Sequence, residues 1–180
     1  MFADRTVVIA VTAGIAAYKS ANLVRDLKAA KAEVLVIMTP EATEFITPLT
    51  FETLSRNPVA VGMFDRGNQW ELEHIALADR ADLLIVAPAT ANIIGKAANG
   101  IADDLVSTTI LTVMTTVPIL MAPAMNTRMW ENPAVRRNAE FLRSCGVRFI
   151  GPVAGRVAAG RGGMGRMAEV EDILKAAEEA

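Results

Sequence analysis

Four short stretches hold most of the polar residues with chemical reach, and each follows an apolar run: Thr12-Ala13-Gly14, Thr39-Pro40-Glu41, Pro88-Ala89-Thr90-Ala91-Asn92 and Pro123-Ala124-Met125-Asn126. Small residues and hydroxyls at the start of a helix suit a phosphate, because free backbone N–H groups and the positive end of the helix dipole face the ligand. Gly14, between an apolar run and a helical pattern, fits either that role or a plain tight turn. No complete G-x-G-x-x-G is present, so a dinucleotide fingerprint is not supported. Taken alone, Thr39 reads as the cap of the segment that follows. Asn126 can offer a donor and an acceptor to a carboxylate or amide, although Asn is also a common turn residue. His74, the single histidine, sits in the amphipathic stretch 70–82 and could handle a proton near neutral pH. Asp103 and Asp104 are adjacent and would point apart on a helix, which fits helix capping better than an acid–base pair. The stretch GRVAAGRGGMGRM, residues 155–167, interleaves Arg156, Arg161 and Arg166 with five glycines. So glycine-rich a segment is not expected to form a packed helix or strand, and it reads as a cationic flap at about 152–168.

Composition narrows the classes of function. The chain has 180 residues, 52% of them hydrophobic, and a net charge of −2. That is one domain, 1–180, with a real core, and it leaves no electrostatic footprint for nucleic acid. One cysteine and one histidine exclude a disulfide framework and a Cys- or His-rich metal site, so no metal is expected. Cys145 reads as a buried structural thiol. The N-terminal residues lead straight into a strand-like run, so no targeting segment is expected. Residues 105–127 carry no charge and are long enough to span a bilayer. Their Ser, Thr and Pro content instead predicts a buried helix, a break near Pro118 and a buried strand, in a soluble cytoplasmic protein without a membrane partner.

Continuous apolar, β-branched runs predict buried strands at 6–12, 33–39, 83–89, 117–123 and 147–150. Helical patterns occupy 15–30, 89–98, 101–114, 133–145 and 169–178. Strands alternating with helices predict an α/β fold, a three-layer α/β/α Rossmann-like (flavodoxin-like) parallel sheet. Ligands of such sheets bind beyond the carboxyl ends of the strands, where the four polar stretches lie.

The stretches VTAGIAAYKS, MTPEATEFITPLTFETLS, HIALADRADLLIVAPATANIIGKAANGIADDL and APAMNTRMW together resemble the flavin-dependent cysteine decarboxylase family. Within it, they are most similar to the branch that acts on 4'-phosphopantothenoylcysteine in coenzyme A biosynthesis. The resemblance implies FMN as cofactor. Thr12, Ala13, Gly14, Ile15, Thr39, Pro40 and Glu41 would hold its phosphate and ribityl chain, and Thr90, Ala91, Asn92, Ile93 and Ala124 would lie against the flavin. It turns the capping role of Thr39 into a cofactor contact. His74 and Asn126 match the family's catalytic histidine and carboxylate-gripping asparagine. Met125, Ala159, Arg166 and Met167 would join Asn126 around the substrate. A homotrimer is implied, in some members a dodecamer, with FMN near the subunit interface.

In the implied chemistry, the thiol-bearing carbon of the substrate cysteine is oxidised to a thioaldehyde, so the carbanion left by CO₂ is delocalised as an enethiolate. Members that complete the reductive half use a flap cysteine as proton donor. The matching position here is Ala159, which has no proton to give. A peptidyl-cysteine oxidative decarboxylase, which stops at the enethiol, is therefore the alternative. A non-catalytic FMN-binding regulatory subunit is a third reading, and the presence of both His74 and Asn126 argues against it.

Overall fold

A strand that is apolar on both faces is stable only when both faces are covered, and the central strands here are of that kind. The computed structural model describes residues 2–63, 73–156 and 162–180. Its main sheet holds β1 (Thr6–Val11), β2 (Glu33–Met38), β3 (Val59–Ala60), β4 (Leu83–Ala89), β5 (Ile119–Pro123) and β6 (Arg148–Phe149), all parallel, in the order β3-β2-β1-β4-β5-β6. Without the two-residue edge strand β3, the remaining five strands follow the flavodoxin order.

Side chains of a strand alternate between faces. On one face Val7, Ile9, Val11, Val36 and Ile85 pack against Leu23, Val24 and Leu27 of α1 (Ala17–Ala29), Phe51 of α2 (Pro48–Ser55) and Ile173 near the C-terminus. On the other, Val8, Ala10, Ile37, Leu84 and Val86 pack with the helices α3 (Glu73–Arg80), α4 (Ala91–Ala98), α5 (Leu105–Val113) and α7 (Pro133–Ser144). A four-residue helix, α6 (Thr127–Trp130), precedes α7, and α8 (Val170–Glu178) returns to the α1 face. The three layers match the expected architecture.

Capping sets several boundaries. The expected helix at 101–114 starts only at Leu105, because Asp104 accepts the Ser107 N–H and Ser107 reciprocates in a capping box. Asp103 and Asp104 also hold Lys96 of α4, each at 2.6 Å, so the acidic pair is structural. The expected helix at 89–98 starts at Ala91, since Ala89 ends β4 and Thr90 is the cap. The uncharged stretch 105–127 contains α5, then β5 after Pro118, as expected. No described helix is long and apolar enough to cross a membrane.

Two expectations are overturned. The glycine- and arginine-rich stretch does form strands: β7 (Val153–Arg156) pairs antiparallel with β8 (Gly162–Arg166) outside the main sheet. Glycine is unfavourable in a strand for want of a side chain, but this hairpin needs that absence to approach a neighbouring turn. Cys145 is exposed, not buried, because it caps the solvent end of α7.

Candidate functional site

All strands of a parallel sheet present their carboxyl ends at the same edge. Where successive connections depart to opposite faces, a crevice opens. Here β1 leads into α1 on one face and its neighbour β4 leads into α4 on the other. The crevice between them is a cleft of about 980 Å³. It is lined by the turn after β1, the start of α4, the residues after β2 and β5, and strand β8 with the loop that follows it.

Three threonines face this cleft with different hydrogen-bond states. Thr12 is buried and donates to the Pro88 carbonyl at 2.7 Å. Thr90 caps α4, its Oγ1 accepting the Ile93 N–H at 3.4 Å. Thr39 precedes a one-turn 3-10 helix (Pro40–Glu44), yet its hydroxyl caps nothing. Thr39 is 6% exposed, and among the described residues its Oγ1 has no hydrogen-bond partner. Buried polar atoms are normally paired, so this hydroxyl in the cleft wall fits a ligand oxygen. The capping reading of Thr39 fails on geometry.

Asn126 caps α6 through Oδ1, which accepts the Arg128 N–H at 2.9 Å. That fixes the amide orientation and leaves the NH₂ end as donor. The cleft's charged wall is a three-residue chain. Glu169 accepts from Lys19 Nζ at 2.8 Å through one oxygen and pairs with the Arg166 guanidinium at 2.8 Å through the other. The Lys19 hydrogen bond, followed by its charge, holds the Glu169 carboxyl below its ordinary value. Glu41 also lines the cleft, so Lys19 and Arg166 are balanced by Glu41 and Glu169, and what this side of the cleft offers an anion is two cationic hydrogen-bond donors, not net positive charge.

The hairpin is seated on the 123–126 turn by backbone. Gly165 accepts the Met125 N–H at 2.9 Å. A Cβ at Gly165 would collide with the Met125 carbonyl, and one at Gly163 would lie 2.5 Å from Thr127 Oγ1. Both positions therefore require glycine for close approach.

Of the expected cofactor residues, Thr12, Ala13, Gly14, Ile15, Thr39, Glu41, Thr90, Ala91, Asn92, Ile93 and Ala124 all line the cleft. Pro40 does not line it; its ring opens the 3-10 helix at the first position, a role its fixed φ suits. Met125, Asn126, Arg166 and Met167 also line the cleft. His74 lies in the first turn of α3, but its side chain, like Ala159, lies outside the described residues. Tyr18, Lys19, Met129, Gly165 and Glu169 line the cleft as well and were not anticipated. Lys19 and Glu169 are 150 residues apart in sequence, and no local pattern announces their pairing. Tyr18 carried a signal, since it sits one turn beyond Gly14.

The arrangement is a cofactor-type cleft at the switch point of a doubly wound sheet, with hydroxyl donors, a helix start and a Lys19–Glu169–Arg166 chain along one side. The family model described as Flavoprotein matches residues 2–180, and the chain belongs to that family. The chain is 49% identical over 178 residues to the coenzyme A biosynthesis bifunctional protein CoaBC of Bacillus subtilis, covering 99% of this chain and 43% of that protein. It thus spans about two fifths of the bifunctional relatives it matches. It is 39% identical to a probable phosphopantothenoylcysteine decarboxylase of Streptococcus mutans, covering 97% of this chain and 98% of the relative. Among solved structures, a cysteine-to-serine mutant of PPC decarboxylase complexed with pantothenoylaminoethenethiol superposes with a TM-score of 0.86 at 32% identity, covering 97% of each chain. The FMN-dependent cysteine decarboxylase SpaF superposes with a TM-score of 0.81 at 28% identity, covering 97% of this chain and 98% of SpaF.

Replacing Gly165 with Ala is expected to lift β8 from the turn. Overpacking at such a contact costs about 1–3 kcal/mol, and the Met125 amide, which loses its acceptor, should exchange with deuterium more than tenfold faster, on the order expected for a lost local protecting bond. Unchanged exchange at Met125 would show that the seat is not set by this glycine.

Proposed function

We propose that this protein is an FMN-dependent decarboxylase of a C-terminal cysteine carboxylate, with 4'-phosphopantothenoylcysteine as substrate in coenzyme A biosynthesis. The observation that carries the cofactor part is the Thr39 hydroxyl, buried in the wall of the switch-point cleft with no partner among the described residues. These residues fit FMN: the free Thr39 hydroxyl would donate to an oxygen of its phosphate or ribityl chain, and Thr90 with the start of α4 would lie against the flavin. The 39%-identical decarboxylase relative, matched over 98% of its length, and the ethenethiol-bound neighbour support the substrate class. When bound, FMN supplies a two-electron oxidation at the thiol-bearing carbon of the substrate.

The chain's residues do the remaining work. Asn126, its amide fixed by the cap to Arg128, donates its NH₂ to the substrate carboxylate and holds the C–C bond to be broken. Lys19 and Arg166, tied together by Glu169, supply cationic donors to the substrate's anionic groups. His74 handles the thiol proton. After the CH₂–SH carbon has become a thioaldehyde, loss of CO₂ delivers its electron pair into a new C=C bond and the charge onto sulfur, giving an enethiolate.

Residues 1–180 act as one flavoprotein domain, with the hairpin as substrate flap, in a cytoplasmic homo-oligomer. A trimer, alone or in a dodecamer, is favoured because Ile15 and Tyr18 line the cleft yet are 63% and 57% exposed, and a neighbouring copy would cover them.

The test is an anaerobic titration of the yellow protein with phosphopantothenoylcysteine and, separately, with a peptide ending in cysteine. Flavin bleaching with the first and none with the second is expected; bleaching only with the peptide favours the peptidyl-cysteine alternative, and bleaching with neither sinks both. His74→Asn should abolish bleaching while FMN stays bound, and retained bleaching removes His74 from the mechanism. Ala159 cannot donate a proton, so the product mass reports the reductive half: loss of CO₂ and two hydrogens with reduced flavin means the oxidative half alone, and loss of CO₂ alone with oxidised flavin means that another group supplies the proton. Ala159→Cys should shift the product to loss of CO₂ alone and return oxidised flavin; an unchanged product mass would show that a cysteine there does not complete the cycle.

A further inference from the structure

The family resemblance gives Thr12 a place on the cofactor, but its hydrogen bonds describe another task. A threonine hydroxyl has one proton to donate. Thr12 has two acceptors within reach, the Pro88 carbonyl at 2.7 Å and Thr90 Oγ1 at 3.3 Å, and the shorter contact takes the proton. Its oxygen meanwhile accepts the Thr90 N–H at 3.4 Å. One residue earlier, the Ala87 carbonyl accepts the hydroxyl of Ser20 at 2.6 Å. Ser20 is fully buried on α1 and does not line the cleft.

Residues 87 and 88 fall in a gap of both neighbouring ladders. The β1–β4 pairing ends at Ala10↔Val86, and the β4–β5 register shifts between Val86 and Ala89. Pro88 also has no N–H to contribute. Two hydroxyls therefore hold two consecutive carbonyls just before the chain turns into α4. Thr90 follows two residues later. Its Oγ1 accepts from Ile93; with the Thr12 proton given to Pro88, the 3.3 Å contact can be made only by the Thr90 proton on Thr12 Oγ1, a long bond that a ligand oxygen can replace.

We infer that Ser20 and Thr12 are positioning residues: by fixing the Ala87 and Pro88 carbonyls, they aim the Thr90 hydroxyl at the cofactor, while Thr12 itself gives the cofactor no proton. The inference rests on the FMN reading of the cleft. It separates residues that line the site into those that contact the ligand and those that act through another residue.

The experiment is FMN titration of the deflavinated full chain, followed by quenching of flavin fluorescence. Ser20→Ala should weaken FMN binding about tenfold, the usual scale for one lost buried hydrogen bond, although Ser20 cannot touch the ligand. Thr12→Val should weaken it similarly, and Thr12→Ser, which keeps the hydroxyl, should bind as the wild type does. In the cycle of Thr12→Val with Thr90→Val, the double variant should bind no more weakly than the weaker single variant, because both act through one hydroxyl. Losses that multiply would mean that Thr12 contacts FMN independently and would overturn the inference, as would unchanged affinity in a folded Ser20→Ala protein. If Ser20→Ala does not fold, the Thr12–Thr90 cycle decides alone. Wild-type protein that takes up no FMN would overturn the cofactor reading, and this inference with it.

Discussion

Parallel pairing of β1 with β4 is the constraint on which the site depends. It brings the carboxyl ends of two strands, distant in sequence, to adjacent positions at one edge of the sheet. The helices that follow them cover opposite faces, so neither can fill the space between their starts. An antiparallel neighbour would have ended at the other edge and left no crevice. The burial of both faces, which makes these strands read as unbroken apolar runs, is thus also what opens the cleft.

The cleft is built from two kinds of surface. One comes from the sheet and its helix starts, rigid and tied by buried hydroxyls. The other comes from the hairpin and the loop after it, joined to the first by the Met125–Gly165 backbone bond and by Glu169, which bridges α1 and β8. The Glu169 side chain is 45% exposed, so the bridge is solvated and contributes orientation more than stability. An apolar contact there would hold the hairpin without placing two cationic donors at the cleft.

Much of this was legible in sequence because parallel strands announce themselves. TVVIAV and LLIVAPA could hardly be anything else, and the residues after them had to lie at the ligand-binding edge. The capping of α5 by Asp104 followed from local chemistry. Pro48, with Phe51 buried three residues later, marked α2 clearly enough to have been found, whereas the two-residue β3 carries no periodicity at all. The hairpin was missed for a physical reason: glycine content reports conformational freedom, and a strand composed of glycines forms only because a specific turn lies beneath it. Cys145 was misjudged because burial of a helix-end residue depends on which end the core covers. The Lys19–Glu169 pair depends on the folded chain returning across the α1 face, which no window of sequence contains.

The seat of the hairpin has a consequence for how such a site can change. Gly163 and Gly165 meet the turn with backbone, so the joint contains no hairpin side chain at those two points. Substitutions elsewhere in the hairpin can then alter what it presents to a ligand without altering where it rests. Attachment and chemistry are in this sense separable: the glycines hold the joint between hairpin and turn, whatever side chains the rest of the hairpin carries.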